Sequence, residues 1–142
     1  MKNQYPLLIL TLAVASLCGC NKQKSDATVG RHIPIESALE ADRPLSSNEI
    51  NEARVLSNAS DNFVRAKALN QLSFVKDESN RVTAIAILKD KINDSDWLVR
   101  HAALNGLRRL KYDKLKQVAT SMLNDPSDKV REAASSILAN LR

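Results

Sequence analysis

Glycine and aromatic residues are scarce: three glycines in 142 residues, and 4% aromatics. Ala, Leu, Ile and Val supply the apolar content, a mix that suits helices far better than a β-sandwich. Only two cysteines occur, Cys18 and Cys20, so processing at Cys20 would leave one and exclude an internal disulfide. The longest apolar stretch, Leu7 to Leu17, is shorter than the roughly 20 residues that a membrane-spanning helix needs. No run of Lys or Arg exceeds two (Arg108-Arg109), and acids are interspersed throughout. The formal net charge of +5 therefore reads as a solvated surface, and no nucleic-acid partner is expected. The two histidines, His32 and His101, stand apart, neither precedes a Glu, and no Cys/His set has zinc spacing. There is no glycine-rich phosphate loop and no nucleophile–base–acid set. The expectation is a chain that is not an enzyme, with no metal, no cofactor and no small-molecule substrate.

What is present begins at the amino terminus. Lys2 and the terminal amine form a positive n-region, and Leu7 to Leu17 has the length of a signal h-region. The run ends Leu17-Cys18-Gly19-Cys20, which resembles the bacterial lipobox: aliphatic, small, Gly or Ala, then cysteine. The resemblance implies a diacylglyceryl group on the Cys20 thiol, cleavage before Cys20 and acylation of the new terminus. Two or three acyl chains hold a protein stably on a bilayer, whereas one does not. Asn21, in place of Asp, points to the outer membrane facing the periplasm where the envelope is Gram-negative. The division expected is a signal peptide over 1–19, a lipidated terminus and flexible tether over 20–45, and a folded domain over 46–142. Within the tether, Pro34 to Asp42 could form a turn or two of helix.

The domain repeats itself. Asp61-Asn62-Phe63-Val64-Arg65, Asp96-Trp97-Leu98-Val99-Arg100 and Asp128-Lys129-Val130-Arg131 align, with 35 residues between the first two valines and 31 between the next two. Ala and Leu follow each valine at +4 and +8: Ala68 and Leu72, Ala103 and Leu107, Ala134 and Leu138. Those offsets share one helical stripe, extended at +11 by Val75, Leu110 and Leu141. Such a stripe must be covered. The expected covers are helices over Ile50 to Leu56, Val82 to Ile92 and Tyr112 to Leu123. Ser46-Ser47-Asn48-Glu49 reads as a capping box with Leu45 and Ile50 as staple, and Asp125 as an N-cap before Pro126. The fold class expected is all-α, a short α-solenoid of about three hairpins.

The unit Asp-x-x-Val-Arg-x-x-Ala-x-x-x-Leu resembles the HEAT repeat, most closely the short bacterial repeats first noted in phycobilisome lyases. The resemblance covers about residues 46–142 and is weaker in the first unit, where Ser57-Asn58-Ala59-Ser60 lacks the acid seen at Asp94 and Asp125. It implies a structural ladder of Asp and Arg, assigned here to Asp61/Arg65, Asp96/Arg100 and Asp128/Arg131. It also implies a concave face at +2, +6 and +9 on each second helix: Ala66, Asn70 and Ser73; His101, Asn105 and Arg108; Glu132, Ser136 and Ala139. The middle row is the richest, so His101, Asn105 and Arg108 are the candidate partner-binding residues. Trp97 either packs across a seam or anchors an interface. The function expected is a membrane-anchored adaptor or scaffold that binds a protein partner and meets the lipid bilayer through acylated Cys20. The alternatives are a self-stacking structural module and an accessory subunit of an envelope enzyme.

Overall fold

A computed structural model describes residues 45–141; the lipidation site, the tether up to residue 44 and its candidate helical turn lie outside the described residues. Among the described residues there are six α-helices and no strand: α1 Ser47–Leu56, α2 Asn62–Leu72, α3 Glu78–Asp90, α4 Trp97–Arg109, α5 Leu115–Met122 and α6 Asp128–Asn140. A 3₁₀ turn, Lys91–Asn93, extends α3. None of these helices is long and apolar enough to cross a membrane.

Helix starts follow the local chemistry. Glu49 N donates to Ser46 Oγ at 3.3 Å and Ser46 N donates to Glu49 Oε2 at 2.8 Å, the reciprocal capping box of α1. Leu45 and Ile50 are both buried at that start. Asp61 accepts from Phe63 N and Val64 N, Asp77 from Asn80 N, and Asp96 from Leu98 N, so three more helices open on an Asp N-cap. Two expectations need correction. Helix α5 begins at Leu115, not Tyr112, because α4 ends in a left-handed residue, Lys111 at φ 51°. There Tyr112 N donates to Leu107 O at 3.0 Å, and Arg81 from α3 donates through Nε and Nη2 to Leu110 O at 3.0 and 2.9 Å. Asp125 is not an N-cap; Ser127 holds that position for α6, and Asp125 serves the neighbouring unit.

Three hairpins, α1–α2, α3–α4 and α5–α6, stack as a short two-layer α-solenoid. The second helices α2, α4 and α6 form one layer with α4 between the other two, and α1 and α3 pack together in the other. The stripes Val99-Ala103-Leu107 and Val130-Ala134 are buried along with Ala68 and Leu72. The alanines at +4, Ala68, Ala103 and Ala134, are 0% exposed, so their small side chains set the close approach between layers. Gly106 serves the same approach: a Cβ there would stand 2.6 Å from Leu88 Cδ2 on α3. The largest fully buried side chains, Leu69, Leu72, Leu88, Leu104 and Leu107, run through the first two units. Each contributes about 1.5–3 kcal/mol of burial.

Candidate partner-binding face

The arginine that follows the valine of each repeat motif is fixed by the loop just before its helix. Arg65 Nη1 donates to Ala59 O and Ser60 O at 2.9 Å, Arg100 Nη1 to Asp94 O and Ser95 O at 2.9 and 3.1 Å, and Arg131 Nη1 to Asp125 O and Pro126 O at 2.6 and 3.0 Å. The other edge of the guanidinium reaches into the next unit. Arg65 donates to both oxygens of Asp94 at 3.1 and 2.9 Å, and Arg100 to both oxygens of Asp125 at 2.7 Å. Arg65 and Arg100 are thus ladder residues as expected, but their acids are Asp94 and Asp125. Asp61 and Asp96 cap helices instead, and Asp96 also accepts from Asn62 Nδ2 at 2.7 Å across the seam. Arg131 has no following unit among the described residues and folds back on exposed Asp128.

These contacts set the charge state of the rungs. Arg100's hydrogen bonds hold the Asp125 carboxyl below the usual carboxylate range and raise the Arg100 guanidinium in return. Burial pushes Asp94 upward, but Arg65, the Asp96 N–H and the Lys91 charge outweigh it and leave Asp94 lowered. The missed acids carried a signal in the sequence: the second and third units have Asp where the first has Ala59. Among the described residues no earlier repeat offers an Arg to the first unit, so Ala59 leaves no rung unfilled there.

The row proposed as concave is the seam row. In α2, Ala66 and Ser73 are buried under α4, with Leu69 between them, so those two expectations fail. The equivalents in α4 are His101, Leu104 and Arg108. Leu104 is buried, His101 half-buried and Arg108 exposed. In α6 the equivalents Glu132, Ser135 and Ala139 are all exposed. The seam closes fully between α2 and α4 and only at its floor between α4 and α6. This incomplete closure presents Trp97, His101, Asn105 and Arg108 on one side of α4.

Trp97 is 44% exposed, and its ring meets His101 edge-on, centroids 6.4 Å apart at 63°. Asn105 Nδ2 donates to His101 O at 3.2 Å and lies 3.2 Å from His101 Nε2. Burial lowers the His101 pKa, which favours the neutral imidazole. At the lower end of α4, Arg108 lines a concavity of about 460 Å³ shared with Lys111, Lys116, Leu115, Ile137 and Leu141. The structure therefore brings half-buried His101 and Asn105 and exposed Arg108 onto one strip and joins it to this concavity. No group of three His, Cys, Asp or Glu gathers as a metal site among the described residues. The strip is equipped to bind: a flat aromatic, an imidazole, an amide and a cation.

A family model for HEAT repeats matches residues 53–139, more than half of the chain. No curated protein and no solved structure gives a significant match.

Proposed function

The chain belongs to the HEAT-repeat family, and from that premise we propose a lipid-anchored, non-catalytic adaptor that binds a partner protein through the exposed side of α4. HEAT stacks commonly serve protein–protein contact through extended lateral surfaces. The observation that carries this reading is the half-open seam. Of the positions that α2 buries against α4, the α4 equivalents His101 and Arg108 are half-buried and exposed beside an exposed Trp97, while Leu104 alone stays fully buried. Trp and Arg are the side chains that most often dominate binding energy at protein interfaces.

The anchor half of the proposal rests on Leu17-Cys18-Gly19-Cys20 behind an h-region of signal-peptide length. It places the domain at an envelope membrane, on the periplasmic side of the outer membrane in a Gram-negative cell. Lipid and function are then separable. The Cys20→Ser variant should remain unprocessed and lose incorporation of labelled fatty acid; cleavage to mature size refutes the anchor. For the binding half, affinity capture from detergent-solubilised membranes should lose its specific partner in Arg108→Glu. An unchanged partner set in that variant refutes the α4 face.

A further inference from the structure

Positive charge on this domain is concentrated at one corner. Residues 108–116 hold Arg108, Arg109, Lys111, Lys114 and Lys116 against Asp113 alone, in a chain whose total net charge is +5. All five cations are exposed. Arg109 lies over the Phe74 ring, 4.4 Å from its centroid. The other four have no carboxylate partner among the described residues. Several cations elsewhere do: Arg65 with Asp94, Arg81 with Glu78, Lys91 with Asp90 and Arg100 with Asp125. Clustered unpaired cations repel one another in the free protein, and an anionic partner relieves that repulsion.

The corner is concave. Arg108, Lys111 and Lys116 stand around the concavity of about 460 Å³, and Leu115 and Ile137, 5% and 3% exposed, form its floor. Lys111 adds a second sign of function. It occupies the left-handed backbone position where glycine is favoured, so backbone ease is given up and an ammonium group is retained at the rim.

We propose that this concavity receives a short acidic segment of a partner protein, with one apolar side chain on the Leu115–Ile137 floor and flanking carboxylates on Arg108, Lys111 and Lys116. The inference rests on the adaptor reading and names the chemistry of the partner. A planar bilayer surface meets cations but cannot reach a recessed apolar floor, whereas a protruding chain segment meets both. Arg108 belongs to the concavity and to the α4 strip, so a segment seated here continues onto Asn105 and His101.

Fluorescence anisotropy on the full-length lipidated protein in non-ionic detergent tests this. The probe is a labelled octapeptide with a central Leu-Phe flanked by Glu and Asp, and the control replaces each acid by its amide. The acidic peptide should bind at least about tenfold more tightly than its amide control, and lose about tenfold in Lys111→Glu/Lys116→Glu. Its affinity should also fall steeply between about 50 and about 500 mM salt. Both lysines are exposed, and circular dichroism checks that the variant is folded; Lys111→Gln/Lys116→Gln should show a smaller loss in the same direction. Equal binding of the neutral peptide, or indifference to both substitutions, overturns the proposal. So does binding to phosphatidylglycerol vesicles through the same lysines without binding of the peptide, which would make the corner a membrane contact. Loss of the captured partner in Arg108→Glu with no peptide binding leaves the adaptor reading standing and overturns only the acidic-segment assignment.

Discussion

Substituting Arg100 should cost far more stability than substituting Arg131, although the two occupy the same repeat position. Arg100 donates both 2.7 Å bonds of its fork to Asp125, whose side chain is 3% exposed, while its own side chain is 12% exposed. In Arg100→Met the Asp125 carboxylate keeps one partner besides, the Ser127 N–H at 2.8 Å. Removing one member of a buried, hydrogen-bonded pair costs about 3–5 kcal/mol, because the other charge is left uncompensated. A domain of this length carries about 5–15 kcal/mol in all. The loss should lower Tm by about 15–30 °C, at the several degrees per kcal/mol typical of such domains. Arg131 makes the same contacts to its own loop, but its carboxylate partner Asp128 is 76% exposed. An exposed pair contributes about 0–1 kcal/mol, so Arg131→Met should lose little beyond its bonds to the loop carbonyls. Urea unfolding followed by circular dichroism measures both, with Trp97 fluorescence reporting on the middle unit. The double variant Arg100→Met/Asp125→Ala should lose less than the two single variants added together. Equal losses at Arg100 and Arg131, or a loss below about 1 kcal/mol at Arg100, would show that the rungs behave as surface pairs and refute the reasoning.

Acid should weaken the same rungs. The pKa values of Asp94 and Asp125 are lowered in the fold, so their stabilisation is complete above the ordinary carboxylate range and is lost as pH falls through their folded values. The urea midpoint should hold from neutral pH to about 5 and then drop, less steeply in Arg100→Met; a parallel drop in the variant would show that the rung is not the titrating unit. Lys111→Gly should stabilise by up to about 1 kcal/mol, since glycine accepts φ 51° without the Cβ penalty; a thermal melt showing destabilisation would mean that the lysine contributes contacts not apparent in the fold. Gly106→Ala should destabilise by about 1 kcal/mol net: the new Cβ meets fully buried Leu88 at 2.6 Å, and this overpacking exceeds the helix-propensity gain. A more stable Gly106→Ala protein would show that Leu88 has room to turn away.

The helices and their buried stripes were legible because both depend on spacing within one helix. Val99, Ala103 and Leu107 fall on one face whatever the neighbours do, and the N-caps at Asp61 and Asp96 act within three residues. The partners of Arg65 and Arg100 were not legible, because they depend on how far one unit is displaced from the next. Sequence spacing favoured the acid four residues before each arginine; stacking brings in Asp94 and Asp125 from 29 and 25 residues away. The same limit explains the seam row. Helical periodicity places Ala66, Asn70 and Ser73 on a side of α2 but cannot say that α4 covers Ala66 and Ser73. The late start of α5 was hidden because its cause, a left-handed turn, falls on a lysine and not on a glycine.

The ends of the stack differ from its interior, and the difference bears on what the domain can bind. Each interior junction uses an arginine fork from one unit, an aspartate from the next, and a leucine on the seam. At the carboxyl-terminal face the leucine position of Leu69 and Leu104 is taken by exposed Ser135, with exposed Glu132 and Ala139 beside it. A copy docking head-to-tail there would forgo about 1.5–3 kcal/mol of leucine burial. It would also offer Ala59 where Arg131 would need an acid. Sequence and charge thus work against self-propagation at the face where the described stack ends. The side of α4 has the opposite character: an exposed Trp97, an open seam, and unpaired cations around an apolar floor. Terminal repeats with polar outer faces are how a short solenoid stays discrete. Under the proposed function, that polarity would turn binding away from the face where the described stack ends and toward the lateral face that the middle unit supplies.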